Sequence, residues 1–291
     1  MTTSFLLLFC FLGLFSTIQA QIPRLQLPFK LEAHRGAGHL EPENTLQAFN
    51  RAIELGLDSV ETDVLLTKDK VPVLVHGMMG RFAGYVEFSF GLRNISKFTL
   101  EKIKTLTLAN GQKIITLAEA LDVCKDKIQL NIELKDFREE VVERVLDVVE
   151  EKGMLGQITF SSFHHSLRRR LTMETERRRI APISFGYLSH VYDPRFPNYR
   201  MTQPGDTINV DIRYLQLFRR ATLTQIFAAR ARGVMTKIWF PMVFESEIPF
   251  YEDLIELGVD YIITNEPILA LNYLNNKGVS KNEHGGIIKS I

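Results

Sequence analysis

Apolar positions along the chain recur with two periods, and the alternation between them predicts repeated β/α units. Phe29-Lys30-Leu31-Glu32-Ala33 alternates as a strand and runs into His34-Arg35-Gly36, where glycine permits a turn. After Pro42, Asn44 or Thr45 is placed to cap a helix whose apolar positions Leu46, Phe49, Ala52, Ile53 and Leu55 keep helical spacing until Gly56. Ser59 to Leu65 alternates again, with Glu61 and Asp63 on one face and Val60, Thr62 and Val64 on the other. Val71-Pro72-Val73-Leu74-Val75 reads as a third strand, apolar as buried parallel strands are, and ends at His76-Gly77.

The alternation continues to the end of the apolar pattern. Strands are expected near 128–135, 157–162, 180–187, 207–214, 234–240 and 261–264, with helices at 137–152, 223–231 and 245–257. About eight β/α repeats in one unit predict an α/β fold, a single closed TIM (β/α)8 barrel of parallel strands with a short loop insertion after strand 3. An open doubly wound sheet would want a glycine-rich phosphate loop after its first strand, and Gly36-Ala37-Gly38-His39 is a weak match. Residues 78–98 form the longest expected loop near the strand ends, and 193–205, with three prolines, a second.

Barrel strands present their functional groups at carboxyl ends, so His34, Arg35 and His76 converge on one mouth. Two inward carboxylates, Glu61 and Asp63, repel one another and are costly to bury unpaired; a cation or a shared proton resolves this. Asn131, Glu133 and Lys135 share a face on a later strand and add a third carboxylate and an ammonium. Three carboxylates without a histidine or cysteine cluster point to a hard ion held by oxygen, hence one divalent cation, Mg²⁺ or Ca²⁺. Arg35 and Lys135 suit an anionic oxygen of a substrate. The bland alternative is a purely structural ion-paired layer of Glu61 and Asp63 with Arg35 and Lys135. Trp239 either packs the barrel top or lines a substrate pocket.

These residues resemble the glycerophosphodiester phosphodiesterases. The resemblance rests on His34-Arg35-Gly36, Pro42-Glu43-Asn44-Thr45, Glu61-Thr62-Asp63, Glu133-Leu134-Lys135, Ser162-Phe163, Trp239 and Gly258-Val259-Asp260 leading to Thr264 and Pro267. It spans roughly Lys30 to Leu274. It implies that Glu61, Asp63 and Glu133 hold the metal and that His34 and His76 act as acid and base. It further implies that Arg35 and Lys135 contact phosphate. The implied chemistry has a neighbouring substrate hydroxyl attack phosphorus while one histidine takes its proton and the other protonates the leaving alcohol. The implied reaction is hydrolysis of glycerophosphodiesters such as glycerophosphocholine to glycerol 3-phosphate and an alcohol. A lysophospholipase D-like activity and a catalytically impaired barrel acting as a binding protein are the alternatives. The chain departs from the family pattern at Gly77, where an aspartate is common.

Composition refines this picture little. The 291 residues are 45% apolar and carry a formal net charge of +1, enough for a large core and without the charge bias of a nucleic-acid binder. The arginine runs 168–170 and 177–179 read as a solvated helix face, with an anionic membrane surface as the next reading and peripheral membrane contact as its consequence. The expected partner is a small-molecule glycerophosphodiester or lysophospholipid; no signal of oligomeric state is evident. Residues 1–20 are uncharged and apolar, with Ala20 before Gln21, and are expected to form a signal peptide. The barrel domain is expected over 21–275 and a polar tail over 276–291. A secreted or secretory-lumen location follows, with an uncleaved membrane anchor as the alternative. Asn94-Ile95-Ser96 is a glycosylation acceptor in such a compartment, and removal of Cys10 with the signal would leave Cys124 alone.

Overall fold

The computed structural model describes residues 30–77, 84–189, 202–241 and 246–276, together with the backbone of 279–281 and 287–289. The expected signal peptide, most of the 193–205 loop and the first residues of the 78–98 loop lie outside the described residues. In chain order the elements are β1 (Lys30–Ala33), α1 (Leu46–Glu54), β2 (Ser59–Leu66), β3 (Pro72–Leu74), β4 (Tyr85–Phe88), β5 (Gly91–Asn94), α2 (Leu100–Thr105), β6 (Ile115–Thr116) and α3 (Leu117–Cys124). They continue with β7 (Gln129–Leu134), α4 (Glu140–Glu151), β8 (Ile158–Ser162), α5 (Leu167–Arg178), β9 (Phe185–Leu188) and β10 (Thr207–Asp211). The last are α6 (Ile212–Leu217), α7 (Arg219–Arg230), β11 (Met235–Trp239), α8 (Ile248–Leu257), β12 (Tyr261–Thr264), α9 (Pro267–Asn276), β13 (Val279–Lys281) and β14 (Ile287–Lys289).

Eight strands close the barrel. The order β1-β12-β11-β10-β9-β8-β7-β2 is parallel throughout and returns to β1 through its pairing with β2. Leu31, Val60, Ile132, Phe160, Val210, Ile238 and Ile262 face the helices from alternate strand positions and, with Phe49, Val142, Val145, Leu171 and Tyr251, form the main core. Helix starts follow capping chemistry. Thr45 accepts from the Ala48 amide at the head of α1, and Thr116 with Glu119 forms a reciprocal capping box at the head of α3.

The expected third strand is corrected. Pro72–Leu74 runs antiparallel to β2, in register Val64 with Leu74 and Leu66 with Pro72, and outside the closed ring. Periodicity reports which face a strand buries and is silent on its direction. The insertion that follows is itself folded. β4 and β5 form an antiparallel hairpin over a second apolar cluster of Leu65, Val73, Val75, Val86, Phe88, Ile95, Ile103 and Ile114. The strand expected over 207–214 ends at Asp211, whose carboxylate accepts from the Arg213 amide and starts α6. At the far end α9 reaches Asn276, and β13 pairs antiparallel with β14 in the expected tail.

The barrel interior is polar. Glu32, fully buried, accepts from Ser59 Oγ (2.7 Å), Asn131 Nδ2 (2.8 Å) and Lys237 Nζ (2.8 Å), joining four strands across the axis. On the outer face, four of the five arginines of α5 meet acidic partners: Arg178 bonds Asp147 and Glu150, Arg177 and Arg170 bond Glu174, and Arg168 bonds Asp206. None of the described helices is long and apolar enough to cross a membrane.

Candidate active site

Register carries the first step of site assembly. Parallel pairing of β2 with β7 sets Asp63 beside Glu133 and Glu61 beside Asn131, so side chains of matched positions project to the same side. Glu61, Asp63 and Glu133 are all buried, and one oxygen of each lies within 4.8 Å of the others. Glu61 Oε1, Asp63 Oδ1 and Glu133 Oε1 have no hydrogen-bond partner. Lys135 Nζ approaches the last two at 3.2 Å as an ion pair but outside hydrogen-bonding geometry. Three buried carboxylates, each offering an oxygen within 4.8 Å of the others, fit a divalent cation, since oxygen-only donors favour hard ions. Desolvation followed by repulsion from Asp63 and Glu133 pushes the Glu61 carboxyl well up, and burial also raises Glu133. Burial opposes ionisation of Asp63 too, yet Lys135, His76 and Arg35 with the Asn44 hydrogen bond outweigh it and hold this carboxyl low. Burial and mutual repulsion thus favour the protonated form of the two glutamates, whereas the surrounding cations favour the charged form of Asp63.

The turn after β1 completes the cluster. Arg35 (φ +55°) and Gly36 (φ +77°) both adopt left-handed backbone, and a Cβ on residue 36 would stand 2.7 Å from Ala48 Cβ, so only glycine fits against α1. That reversal aims the Arg35 amide at Glu61 Oε2 (3.0 Å), its Nη1 at Glu43 Oε2 (2.6 Å) and its Nε at Asp63 Oδ2 (3.3 Å). Asn44, also left-handed at φ +56°, donates from Nδ2 to Asp63 Oδ2 (2.9 Å) and accepts from Thr62 Oγ1 (2.7 Å) and the Asp63 amide (3.2 Å). The Pro42-Glu43-Asn44-Thr45 segment therefore orients Arg35 and Asp63 and caps α1 within four residues.

His34 and His76 line the same cavity, of about 210 Å³, with Arg35, Glu61, Glu133, Lys135 and Trp239. Asp63 is not among its lining residues and sits behind the others. His34 Nε2 is 3.9 Å from Glu61 Oε2, and its Nδ1 is 2.6 Å from Asn265 Oδ1. Burial first, then the Arg35 charge, lowers His34 to about 3; burial, with Lys135 and Arg35, lowers His76 to about 3 against the opposing pull of Asp63. Both imidazoles are neutral at pH 7. Trp239, at the carboxyl end of β11, meets Phe163 edge to face at 6.3 Å, so it packs the rim and lines the cavity at once. Ser161 and Asn209 had no place in the sequence reading, and Asn265 entered it only as a departure from the threonine-aspartate usual in the resembled family. Ser161 and Asn209 line the cavity, and no pattern in the chain distinguishes them from ordinary strand residues.

Gly77 has a steric reason. A Cβ there would lie 2.8 Å from Leu65 Cδ1, inside the apolar cluster beneath the β4–β5 hairpin. The side chain common at this position in the resembled family has no room while Leu65 keeps its place.

A sequence profile described as "Glycerophosphoryl diester phosphodiesterase family" matches residues 34–269. A glycerophosphodiester phosphodiesterase of Caldanaerobacter subterraneus subsp. tengcongensis is 29% identical over 262 residues, covering 84% of this chain and 98% of the relative. Among solved structures, a Galdieria sulphuraria protein assigned as a glycerophosphodiester phosphodiesterase superposes with a TM-score of 0.69 at 28% identity, over 87% of this chain and all of the other. An Oleispira antarctica phosphodiesterase solved with the product sn-glycerol-3-phosphate superposes with a TM-score of 0.66 over 86% of this chain and 97% of the other; its 22% identity bears on the fold alone.

Proposed function

This chain belongs to the glycerophosphoryl diester phosphodiesterase family, and on that premise we propose that it hydrolyses glycerophosphodiesters such as glycerophosphocholine to glycerol 3-phosphate and an alcohol. One observation carries the reading: three buried carboxylates gather beside Arg35 and Lys135, and two neutral imidazoles line the same mouth.

Glu61, Asp63 and Glu133 are the residues that would hold a divalent cation, Mg²⁺ or Ca²⁺. When bound, the ion supplies Lewis-acid neutralisation of charge on phosphoryl oxygens. Arg35 and Lys135, both largely buried, bring to the diester anion fixed positive charge that counts for more there than in solvent. A neutral imidazole accepts the proton of the substrate hydroxyl as that hydroxyl attacks phosphorus. The negative diester raises the proton affinity of the other imidazole, which enters the reaction protonated and delivers its proton to the departing alcohol oxygen, leaving a cyclic phosphate; with the two proton roles reversed, water then opens that ring to give glycerol 3-phosphate. Trp239 and Phe163 form the apolar wall against which the glycerol or head group packs. The uncharged apolar segment 1–20 supports action in a secretory lumen or outside the cell.

Purified protein incubated separately with glycerophosphocholine and lysophosphatidylcholine tests this directly. Glycerol 3-phosphate and choline are expected from the former. His34→Ala and His76→Ala are each expected to lower the rate by about 10²-fold or more. Choline release from lysophosphatidylcholine alone, or full rates in both variants, would overturn the assignment.

A further inference from the structure

Asn265 joins the site from β12 and the loop beyond it, and its amide has only one orientation open to it. Its Nδ2 stands 3.1 Å from the Phe240 carbonyl oxygen and 2.9 Å from Glu247 Oε1. One is a carbonyl and the other a carboxylate oxygen that also receives the Asn265 backbone amide at 2.7 Å, so both act as acceptors. The nitrogen must face them, which turns Oδ1 to His34 Nδ1 at 2.6 Å. An amide oxygen cannot donate. His34 Nδ1 therefore carries the hydrogen, and in the neutral ring the free electron pair is on Nε2, the atom directed toward Glu61 and the cavity.

The anchor behind the amide is a buried carboxylate. Glu247, immediately before α8, receives four donors: the Asn265 amide and Nδ2 on Oε1, and Thr264 Oγ1 (2.6 Å) and Tyr251 Oη (2.8 Å) on Oε2. The His34 backbone amide bonds the Thr264 carbonyl at 3.1 Å, so the main chain is tied to Thr264 and the ring to the next residue, Asn265. A carboxylate this enclosed neither touches the cavity nor meets a basic side chain in any of these bonds. Three of its four hydrogen bonds come from Thr264 and Asn265 at the end of β12, beside His34.

We propose that Glu247 and Asn265 are positioning residues that fix His34 as the Nδ1–H tautomer, presenting Nε2 as the proton acceptor of the reaction. The inference rests on the phosphodiesterase reading above. A neutral amide between the carboxylate and the ring orients the imidazole without placing a negative charge on it. An aspartate at 265 would instead set two carboxylates in contact at Glu247.

The test pairs a spectroscopic signature with kinetics. Nitrogen-15 NMR of histidine-labelled wild-type protein, with His34 assigned through His34→Asn, is expected to report an unprotonated Nε2 and a protonated Nδ1. In Asn265→Ala, this signature is expected to collapse to mixed tautomers. On glycerophosphocholine, kcat should fall roughly 10²-fold while KM stays within about threefold. Asn265→Asp alone should be at least as impaired, and Asn265→Asp combined with Glu247→Gln should recover most of the rate by returning one charge and one amide to the pair. The proposal is overturned by an Nε2–H tautomer in the wild type, by an unchanged kcat in a folded Asn265→Ala, or by a double variant no better than Asn265→Asp. Should wild-type protein turn over no glycerophosphodiester, the activity assignment fails, and the tautomer measurement still decides this one.

Discussion

At the scale of single residues, burial and neighbouring cations keep His34 and His76 neutral, and that has a signed consequence for stability. In the unfolded chain each imidazole takes up a proton near its ordinary value of about 6.5, whereas in the fold neither does so until about pH 3. Unfolding therefore binds protons between these limits; the stabilisation is complete above about pH 6.5 and is lost as the pH falls toward 3. Urea midpoints of metal-free protein should show wild type losing roughly 1–2 kcal/mol per imidazole more than His34→Asn/His76→Asn between pH 7 and 5. Equal slopes would mean that the rings titrate freely. The seven polar site residues His34, Arg35, Glu61, Asp63, His76, Glu133 and Lys135 were legible because each sits at a strand end or at alternate strand positions beside apolar neighbours. Asn44 as the orienting group of Asp63, and Asn265 as that of His34, were not legible in those roles. Their function depends on partners 19 and 231 positions away, and no local period reports such a contact.

At the scale of elements, alternation located β2, β7 and β12 closely, since one face of each packs helices and the other lines the barrel. It could not tell that Pro72–Leu74 runs antiparallel to β2, because burial on a pleated strand is independent of chain direction. Nor could it end β10 at Asp211, since Ile212, Tyr214 and Leu215 remain buried after the chain turns helical. The inward faces hold a consequence that spacing alone left hidden. Glu32 on β1 and Lys237 on β11 meet inside the barrel at 2.8 Å, with Ser59 and Asn131 completing the carboxylate. Removing one partner leaves a buried charge uncompensated, so Lys237→Met should destabilise the protein by about 3–5 kcal/mol in chemical denaturation. Lys237→Met combined with Glu32→Gln should recover part of that loss. A single variant within about 0.5 kcal/mol of wild type would show the pair to be solvated.

At the scale of the whole molecule, the closed ring brings residues 34, 61, 63, 133, 135, 239 and 265 to one end and the segment after β3 adds His76, an assembly that local sequence only foreshadowed through the count of β/α repeats. The hairpin insertion rests on its own apolar cluster, whose Leu65 packs against Gly77 immediately after His76, so the insertion and the site share a wall. Burial and mutual repulsion raise the glutamates of the acidic triad, so a cation binding there is expected to compete with protons. Calorimetric titration of Mg²⁺ or Ca²⁺ into chelator-treated protein, repeated in buffers of different ionisation enthalpy, measures ion count and proton release together. One ion per chain bound with release of protons, both abolished by Asp63→Asn, is the expected result; saturation with no site, or a site that survives Asp63→Asn unchanged, would contradict the account.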